Sequence, residues 1–187
     1  MMSLLKKSIE EAPVIKKDEY NYVVHPLTDG IPEIKPELLN EVVTEMEKHV
    51  TANQPIDRIV TVEAMGIPLA AALSLRTGIP FTIIRKREYG LPGEVSVQQV
   101  TGYSKSTLFI NGVNKGNRIV IVDDVLSTGG TLKAVLQSFK EIGVVVKAVI
   151  IAINKGEIAE QIQKTFDVPI ISIATITIKD GVVEMKQ

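Results

Sequence analysis

The 187-residue sequence contains no cysteine and carries a formal net charge of only −1. Without cysteine the chain has no disulfide, no thiolate metal site and no cysteine nucleophile. This composition suits a reducing compartment, so we expect a cytoplasmic protein. The small net charge provides no overall field that would attract nucleic acid, and we therefore expect no nucleic-acid partner.

Long apolar segments are missing as well. The longest apolar run, residues 144–153, is interrupted by Lys147 and has about half of the roughly 20 residues that a membrane-spanning helix requires. Charged side chains between residues 6 and 11 break up the N-terminal segment, which therefore lacks the apolar core of a signal peptide. We expect no membrane segment. With 45% hydrophobic residues the chain can bury one substantial core, which predicts a single domain over residues 1–187.

Two nucleotide-binding motifs are also absent from the sequence. No G-x-x-x-x-G-K-[ST] occurs, which argues against a nucleotide hydrolase whose acidic strand would be a Walker B strand. No G-x-G-x-x-G follows the first predicted strand, which argues against a dinucleotide-binding fold. The adjacent acids Asp123 and Asp124 therefore need another explanation.

The segment from Ile119 to Thr131 reads IVIVDDVLSTGGT. Its four β-branched residues predict a strand that is covered on both faces, and residues 132–142 predict a helix. The turn between them lies at the carboxyl end of a strand, where open parallel sheets bind ligands and where helix-start amides favour an anion. We expect this turn to bind a phosphate through Ser127, Thr128, Gly129, Gly130 and Thr131.

Two carboxylates beside a phosphate would repel it unless a hydroxyl-bearing or positive group stood between them. A ribose satisfies this condition, because its hydroxyls can donate to Asp123 and Asp124 while a 5-phosphate occupies the turn. Mg²⁺ can bridge other hydroxyl and phosphate oxygens. A purely structural turn, with Thr128 as helix cap and Gly129 ending the strand, leaves the paired acids unexplained, and their burial is costly.

This segment resembles the signature of the type I phosphoribosyltransferases, in which four apolar residues precede two acids and a turn ending in T-G-G-T. The resemblance implies a displacement that releases diphosphate from 5-phosphoribosyl 1-diphosphate, with Asp123 and Asp124 as the catalytic residues. It also implies Mg²⁺ bound mainly through the substrate, with no metal site built from side chains. A homodimer is expected on the same ground.

Predicted helices and strands alternate along the chain, which indicates an α/β fold with a doubly wound, mostly parallel sheet. The predicted helices are residues 36–50, 67–76, 130–142 and 157–166, after a short amphipathic helix before Pro13. The predicted strands are residues 59–63, 80–85, 118–123, 144–153 and 169–173, followed by a hairpin of residues 176–178 and 182–185 around a Lys179-Asp180-Gly181 turn.

Residues 86–117 interrupt this alternation. They contain five glycines and two short β-like runs, residues 95–101 and 107–110. Long connections in compact domains are usually lids or disordered, and a lid would exclude water from an oxocarbenium-like transition state. The resembled family has a flexible hairpin here, so we expect a flexible lid with Lys105 or its neighbours reaching the diphosphate. A solvated surface loop is the alternative.

Glu63, Ala64, Met65 and Gly66 lie where the first strand of the βαβ unit turns into its helix, a second place where helix-start amides can hold an anion. By resemblance this is the diphosphate loop. Adenine-type enzymes have E-A-R-G here, so Met65 replaces a charged anchor. Arg85 and Lys86 could supply the missing charge, to their own or a neighbouring subunit's site; a solvated cluster is the alternative.

Further resemblances concern the base. Residues 85–94 (RKREYGLPGE) resemble the segment beside the purine in adenine-type enzymes. Residues 20–32 (YNYVVHPLTDGIP) and 101–112 (TGYSKSTLFING) resemble the archaeal hypoxanthine/guanine phosphoribosyltransferases, which share the adenine-type framework. This implies formation of IMP or GMP; adenine as substrate, or a phosphoribosyl-diphosphate sensor without turnover, are the alternatives. Residues 1–35 are expected to form a hood over the purine or to pack on the sheet.

The group that accepts the purine proton is left open. In some 6-oxopurine enzymes of this fold an acid stands where this sequence has Ser127, and serine is a poor general base. A lid residue such as Glu94, water or a pre-ionised tautomer remains. His25 and His49 titrate in the right range, but His49 is expected to cap a helix or to be solvated, and His25 is not assigned a role.

Overall fold

The computed structural model describes residues 3–17, 20–100, 105–179 and 182–186. Its first half contains α1 (Ser3–Glu10), β1 (Val14–Lys17), β2 (Tyr20–Val23), α2 (Pro26–Asp29), α3 (Pro36–Ala52), β3 (Arg58–Val62), α4 (Gly66–Thr77) and β4 (Phe81–Ile84). Its second half contains β5 (Val95–Val100), β6 (Lys105–Ile110), β7 (Arg118–Leu126), α5 (Gly130–Ile142), β8 (Val145–Lys155), α6 (Ile158–Phe166), β9 (Ile170–Lys179) and β10 (Val182–Met185).

The central sheet has six strands in the order β10-β9-β8-β7-β3-β4. All neighbouring strands are parallel except β9 and β10, which form the predicted antiparallel hairpin. The two residues at its turn, 180 and 181, lie outside the described ranges. The predicted α/β fold with a mostly parallel sheet is confirmed.

Strand β7 lies in the interior of this sheet, between β3 and β8. Val120 and Val122 pack into the core that also contains residues of α1, α3 and α4, whereas Ile119 and Ile121 pack into the core formed with α5, α6 and the β5–β6 hairpin. The predicted burial of this strand on both faces is therefore correct. Two layers of core hold the carboxyl end of β7 in place.

Strands β7 and β9 extend well beyond the ranges that the sequence predicts. β7 was expected to end at residue 123 but continues to Leu126, because its backbone still pairs with β8 at Val125 and Leu126. The expected strands 169–173 and 176–178 form one continuous strand, β9, in which Ala174 is buried and pairs with Ile153. In both places backbone pairing with the long strand β8 outweighs the weak β-propensity of single residues.

Residues 95–100 and 105–110 form the antiparallel hairpin β5–β6. Val97, Leu108 and Ile110 are buried in the second core, and the backbones of Phe109 and Arg85 exchange hydrogen bonds of 2.7 and 3.1 Å. The alternative of a solvated surface loop is therefore wrong for this part of the segment. The tip, residues 101–104, lies outside the described residues, and the flexibility of the lid stays a prediction.

The N-terminal segment packs on the sheet domain. Leu5 and Ile9 of α1 are fully buried against α3 and β10. The β1–β2 hairpin and the short helix α2 follow, and the sequence analysis predicted neither. His25 is the N-cap of α2: its Nδ1 accepts from the Leu27 amide at 3.2 Å, and its Nε2 contacts Ser8 Oγ at 2.9 Å.

None of the helices in the described ranges is both long and apolar enough to cross a membrane.

Candidate active site

The predicted phosphate turn and the paired acids line one cleft. It lies at the carboxyl end of β7 and has a volume of about 340 Å³. From the predicted site it contains Asp123, Asp124, all five turn residues Ser127 to Thr131, Glu63 and Lys86. Ser106 of β6 closes it from the hairpin side. The strand, the predicted phosphate turn, part of the predicted diphosphate loop and the hairpin thus converge on one space.

The turn is shaped by Gly129. This residue is the N-cap of α5 and has a φ of 74°, in the left-handed region where glycine is favoured. A Cβ atom at this position would also lie 2.6 Å from Ile162 Cδ1 of α6. Glycine is therefore required here for two reasons, and helix α5 begins directly behind the turn with its free amides towards the cleft.

The two carboxylates differ in environment. Asp124 is only 8% exposed, and its backbone amide donates to Asp123 Oδ1 at 3.1 Å. The pKa of Asp124 is raised to about 6, mainly by burial; hydrogen bonds with Asp123 and the backbone oppose this rise, and the charges of Asp29 and Lys155 make smaller contributions that raise and lower the pKa, respectively. Burial and the neighbouring Asp124 raise the pKa of Asp123 well above its usual range. Such costly burial of paired acids is typical of a functional site.

The raised pKa of Asp124 predicts a pH dependence of stability. A carboxyl whose pKa is higher in the folded state contributes stability at low pH, and this contribution is lost as pH rises through about 6. Because asparagine does not ionise, Asp124→Asn should gain about 1.5 kcal/mol of unfolding free energy relative to wild type between pH 5 and pH 8. Urea unfolding of both proteins at the two pH values measures this difference.

The comparison with wild type is needed because His25 acts in the opposite direction. Burial lowers its pKa from 6.5 to about 4, so its contribution to stability is present above pH 6.5 and is lost on acidification through about pH 4. The His25 contribution is common to both proteins and cancels in the difference. If the difference in unfolding free energy between variant and wild type is the same at pH 5 and pH 8, ionisation of Asp124 does not destabilise the folded protein.

The predicted diphosphate loop is only partly directed to the cleft. Glu63 and Lys86 line it, whereas Ala64, Met65, Gly66 and Arg85 do not. Arg85 Nε lies 2.9 Å from Glu63 Oε2, and the Lys86 amide donates to the same carboxylate. The proposed cation Arg85 is thus paired with an acid of the loop. The side chain of Lys105 lies outside the described part of the chain.

Gly66 holds the loop against the signature strand. A Cβ atom at this position would lie 2.1 Å from Thr61 Oγ1 and 2.7 Å from Asp123 Oδ1. The buried Thr61 hydroxyl makes no hydrogen bond to the residues that the structure describes. The first turn of α4 therefore contacts the Asp123 carboxylate directly, and it can do so only because residue 66 has no side chain.

Met65, which replaces the arginine of adenine-type enzymes, faces the N-terminal segment. Its Cε lies 3.4 Å from the position that a Cβ atom would occupy on Gly30, the residue that ends α2. This contact brings the diphosphate loop and the N-terminal segment together. Met65 thus makes an apolar contact with that segment at the position where the resembled enzymes carry arginine.

Two residues that act on Asp124, Asp29 and Lys155, and Tyr22, which contacts both of them, were not predicted. Tyr22 and Asp29 come from the N-terminal segment, and Lys155 ends β8 beside β7. Asp29 and Lys155 both influence the pKa of Asp124. Lys155 could have been found from the sequence, because it lies just after a long apolar run that predicts a strand. The sequence around Tyr22 and Asp29 contains no comparable pattern.

Glu94 is held by its own loop. Its carboxylate accepts hydrogen bonds from the Gly90 amide at 3.0 Å and from Asn111 Nδ2 at 2.6 Å. The Asn111 hydrogen bond, followed by those from the Gly90 and Tyr89 amides, lowers the pKa of Glu94 although partial burial opposes this. It does not line the cleft. These contacts favour a structural role for Glu94 over that of a general base.

Comparison with known proteins agrees with this geometry. Residues 34–182 match the model of the family described as "Phosphoribosyl transferase domain". A protein of Methanothermus fervidus named hypoxanthine/guanine phosphoribosyltransferase is 49% identical over 185 residues, which cover 99% of this chain and 97% of that protein. The protein of the same name from Methanothermobacter thermautotrophicus is 49% identical over 186 residues, with 100% and 95% covered.

The fold is also found in a solved structure. The crystal structure of an adenine phosphoribosyltransferase from Thermoanaerobacter pseudethanolicus aligns with a TM-score of 0.74 and 25% identity, covering 94% of this chain and 99% of that one. The yeast adenine phosphoribosyltransferase, at 19% identity and a TM-score of 0.71, has the same fold over 91% of this chain. From its signature cleft and these relatives, the chain belongs to the phosphoribosyltransferase family.

Proposed function

We propose that this protein transfers the phosphoribosyl group of 5-phosphoribosyl 1-diphosphate to hypoxanthine or guanine, giving IMP or GMP and diphosphate in purine salvage. The observation that carries the proposal is the single cleft in which Asp123 and Asp124 stand beside the turn of residues 127–131. The names of relatives that are 49% identical over nearly the whole chain support the choice of base.

In the proposed reaction the purine nitrogen bonds to C1 of the ribose while the bond from C1 to the diphosphate oxygen breaks. The 5-phosphate binds at the turn before α5, where backbone amides and the hydroxyls of Ser127, Thr128 and Thr131 can donate to it. The ribose hydroxyls donate to Asp123 and Asp124. Positive charge develops on the ribose in the transition state, so the carboxylates stabilise this state more than the ground state.

The leaving diphosphate would lie at the other end of the cleft. Lys86 and Ser106 line that end and can donate to its oxygens. Lys105 is adjacent in sequence and stays a proposed contact. Glu63 also lines this end, and Arg85 pairs with it at 2.9 Å. This pairing offsets a negative charge that would otherwise oppose diphosphate binding.

We propose that Mg²⁺ accompanies the diphosphate substrate. The cleft is lined by carboxylate and hydroxyl oxygens, the ligand type that this hard cation prefers. Among the described residues, no three His, Cys, Asp or Glu side chains are grouped so that they could hold a metal ion. The ion would therefore be held mainly through substrate oxygens, next to Asp123 and Asp124. When bound, it neutralises charge on the diphosphate.

None of the candidate side chains is a suitable general base for the proton that the purine loses in the reaction. Ser127 lines the cleft but is a poor base, and Glu94 is bound by Asn111 and its own loop. We propose that water or a pre-ionised purine tautomer meets this need. Guanine and hypoxanthine differ little in this respect, so both are expected to react.

We further propose that the protein is a cytoplasmic homodimer. Leu75 on α4 is 89% exposed, which is unusual for a leucine on a helix beside a core and suits burial against a second copy. Light scattering coupled to size-exclusion chromatography measures the mass in solution. A mass of one chain at working concentration would contradict the proposal.

A direct assay tests the proposed function. Purified protein is incubated with phosphoribosyl diphosphate, Mg²⁺ and hypoxanthine, guanine or adenine, and diphosphate release is followed for each base. We expect release with hypoxanthine and guanine, and a kcat/KM for adenine that is lower by about 10²-fold or more, since a site that pairs with a 6-oxo group leaves its polar groups unpaired with adenine. Omission of Mg²⁺ should abolish release.

The other outcomes distinguish the alternatives. Release with adenine alone would make the protein an adenine phosphoribosyltransferase. Tight binding of phosphoribosyl diphosphate without release for any base would favour a sensor that regulates without turnover.

A further inference from the structure

Tyr22, Asp29 and Lys155 form a cluster that joins the N-terminal segment to the central sheet. The ammonium nitrogen of Lys155 lies 5.2 Å from the centroid of the Tyr22 ring, within the range of a cation–π interaction. The Tyr22 hydroxyl donates to Asp29 Oδ1 at 2.5 Å. Lys155 ends β8, whereas the other two residues belong to β2 and α2, so the cluster bridges elements far apart in sequence.

Asp29 is fixed in its charged form within this cluster. Burial alone raises the pKa of its carboxyl, but hydrogen bonds from the Thr28 hydroxyl, the Tyr22 hydroxyl and the His25 amide together bring the pKa below its usual value. The Thr28 and His25 donors lie 2.6 and 2.9 Å from Asp29 Oδ2. These three hydrogen bonds fix the position of the Asp29 carboxylate and stabilise its ionised form.

The charge of Lys155 acts both on this anion and on the signature acid Asp124. Burial lowers the pKa of its ammonium, whereas the charges of Asp29 and Asp124 raise it. Helix α2 itself packs on β7, which carries both signature acids. The positive charge of Lys155 therefore attracts an acid of the N-terminal segment and an acid of the signature strand.

The geometry of the displacement assigns this region to the base. Glu63, Lys86 and Ser106 line the part of the cleft where the proposed reaction would place the diphosphate, and an attacking purine would approach C1 from the side opposite this leaving group. With the diphosphate placed there, the opposite side of the ribose would be the side on which α2 packs against β7, the strand that carries Asp124. The purine would thus be enclosed between β7 and the N-terminal segment that Lys155 holds.

We propose that Tyr22, Asp29 and Lys155 are positioning residues that hold helix α2 over the base side of the site and thereby set the affinity for the purine. The inference rests on the proposed function. The three side chains act on the substrate through the placement of α2, and none of them takes part in bond making. Their loss should raise KM for the base, while at pH 8, well above the pKa of about 6 of Asp124, KM for phosphoribosyl diphosphate and kcat change little.

Three variants test this inference. Lys155→Met removes the charge, Tyr22→Leu removes ring and hydroxyl, and Tyr22→Phe retains the ring but loses the Asp29 hydrogen bond. We expect KM for hypoxanthine to rise about tenfold in the first two and less in the third. KM for phosphoribosyl diphosphate should change less than about threefold. Lys155→Arg should restore most of the affinity, and Lys164→Met, the same change on exposed α6, should leave all constants unchanged.

Hydrogen exchange provides a readout that does not require activity. Amides of residues 20–30 should exchange at least about tenfold faster in Lys155→Met and Tyr22→Leu than in wild type, because the opening of α2 becomes easier. The effects of the two changes on exchange should be less than additive in the double variant, since both remove the Lys155–Tyr22 contact. If Tyr22→Leu does not fold, Tyr22→Phe and Asp29→Asn replace it in both measurements.

Several results would overturn the inference. Unchanged KM for hypoxanthine in Lys155→Met, or equal losses in both substrates and in kcat, would show that the cluster does not act through the base side. Unchanged exchange would show that it does not hold α2. If wild type releases no diphosphate with any base, the proposed function fails, and the exchange rates alone then decide whether the cluster holds the segment.

Discussion

Replacing Asp124 with asparagine is expected to lower kcat by about 10²–10³-fold. Asparagine keeps the size of the side chain but has no negative charge to oppose the positive charge that develops on the ribose. Because Asp124 is only 8% exposed, solvent cannot substitute for the lost charge. Steady-state kinetics of diphosphate release measure the loss, and isothermal calorimetry with phosphoribosyl diphosphate reports ground-state binding separately.

Glu184→Gln is the matched control for this variant, since it makes the same chemical change at an exposed position of β10. The control should retain wild-type kcat. Asp124→Asn should remain folded and, at pH 8, at least as stable as wild type, because the change removes a buried charge. Full activity of Asp124→Asn with unchanged affinity for phosphoribosyl diphosphate would refute the role of this carboxylate.

Gly66→Ala should have the second largest effect. In an ordinary helix alanine is favoured over glycine by about 1 kcal/mol. Here the added methyl group would lie 2.1 Å from Thr61 Oγ1 and 2.7 Å from Asp123 Oδ1, so strand, loop or carboxylate must move. Overpacking of this kind costs about 1–3 kcal/mol of unfolding free energy. Displacement of Asp123 should also reduce kcat by about 10²-fold.

A second substitution separates the two clashes. Thr61→Ala removes the hydroxyl that the new methyl group would meet first, so the double variant Thr61→Ala/Gly66→Ala should recover part of the lost stability. Its kcat should stay low, because the contact with Asp123 remains. Thermal unfolding and kinetics of the two single variants and the double variant provide the full cycle. Wild-type kcat in Gly66→Ala would mean that Asp123 can move without consequence.

The part of the site that the sequence predicts is local in the chain. The strand, the acids and the turn follow one another within residues 119–131. The β-branched run indicates the strand, the paired charges mark the acids, and the glycines mark the turn. Their shared cleft with Glu63 and Lys86 follows from the rule that carboxyl ends of parallel strands meet at one edge. The roles assigned to these residues stay predictions until the variants are measured.

The rest depends on contacts between distant segments. Lys155 and Tyr22 are separated by most of the chain, and neither has a neighbour pattern that indicates a cation–π pair. The small elements β1, β2 and α2 have four residues each, too few for a periodic pattern to be read. The ion pair of Arg85 with Glu63 could likewise not be predicted from the sequence, because charges that are close in space need not be close in sequence.

Arg85 lies outside the cleft but connects two segments that border it. Its backbone exchanges hydrogen bonds with Phe109 of the hairpin, and its side chain pairs with Glu63 of the loop that follows β3. A shift of the hairpin therefore displaces the residue that follows β4. Through the Arg85–Glu63 ion pair it also displaces the loop that follows β3. Movement of the β5–β6 hairpin and movement of the loop that follows β3 are therefore coupled through Arg85.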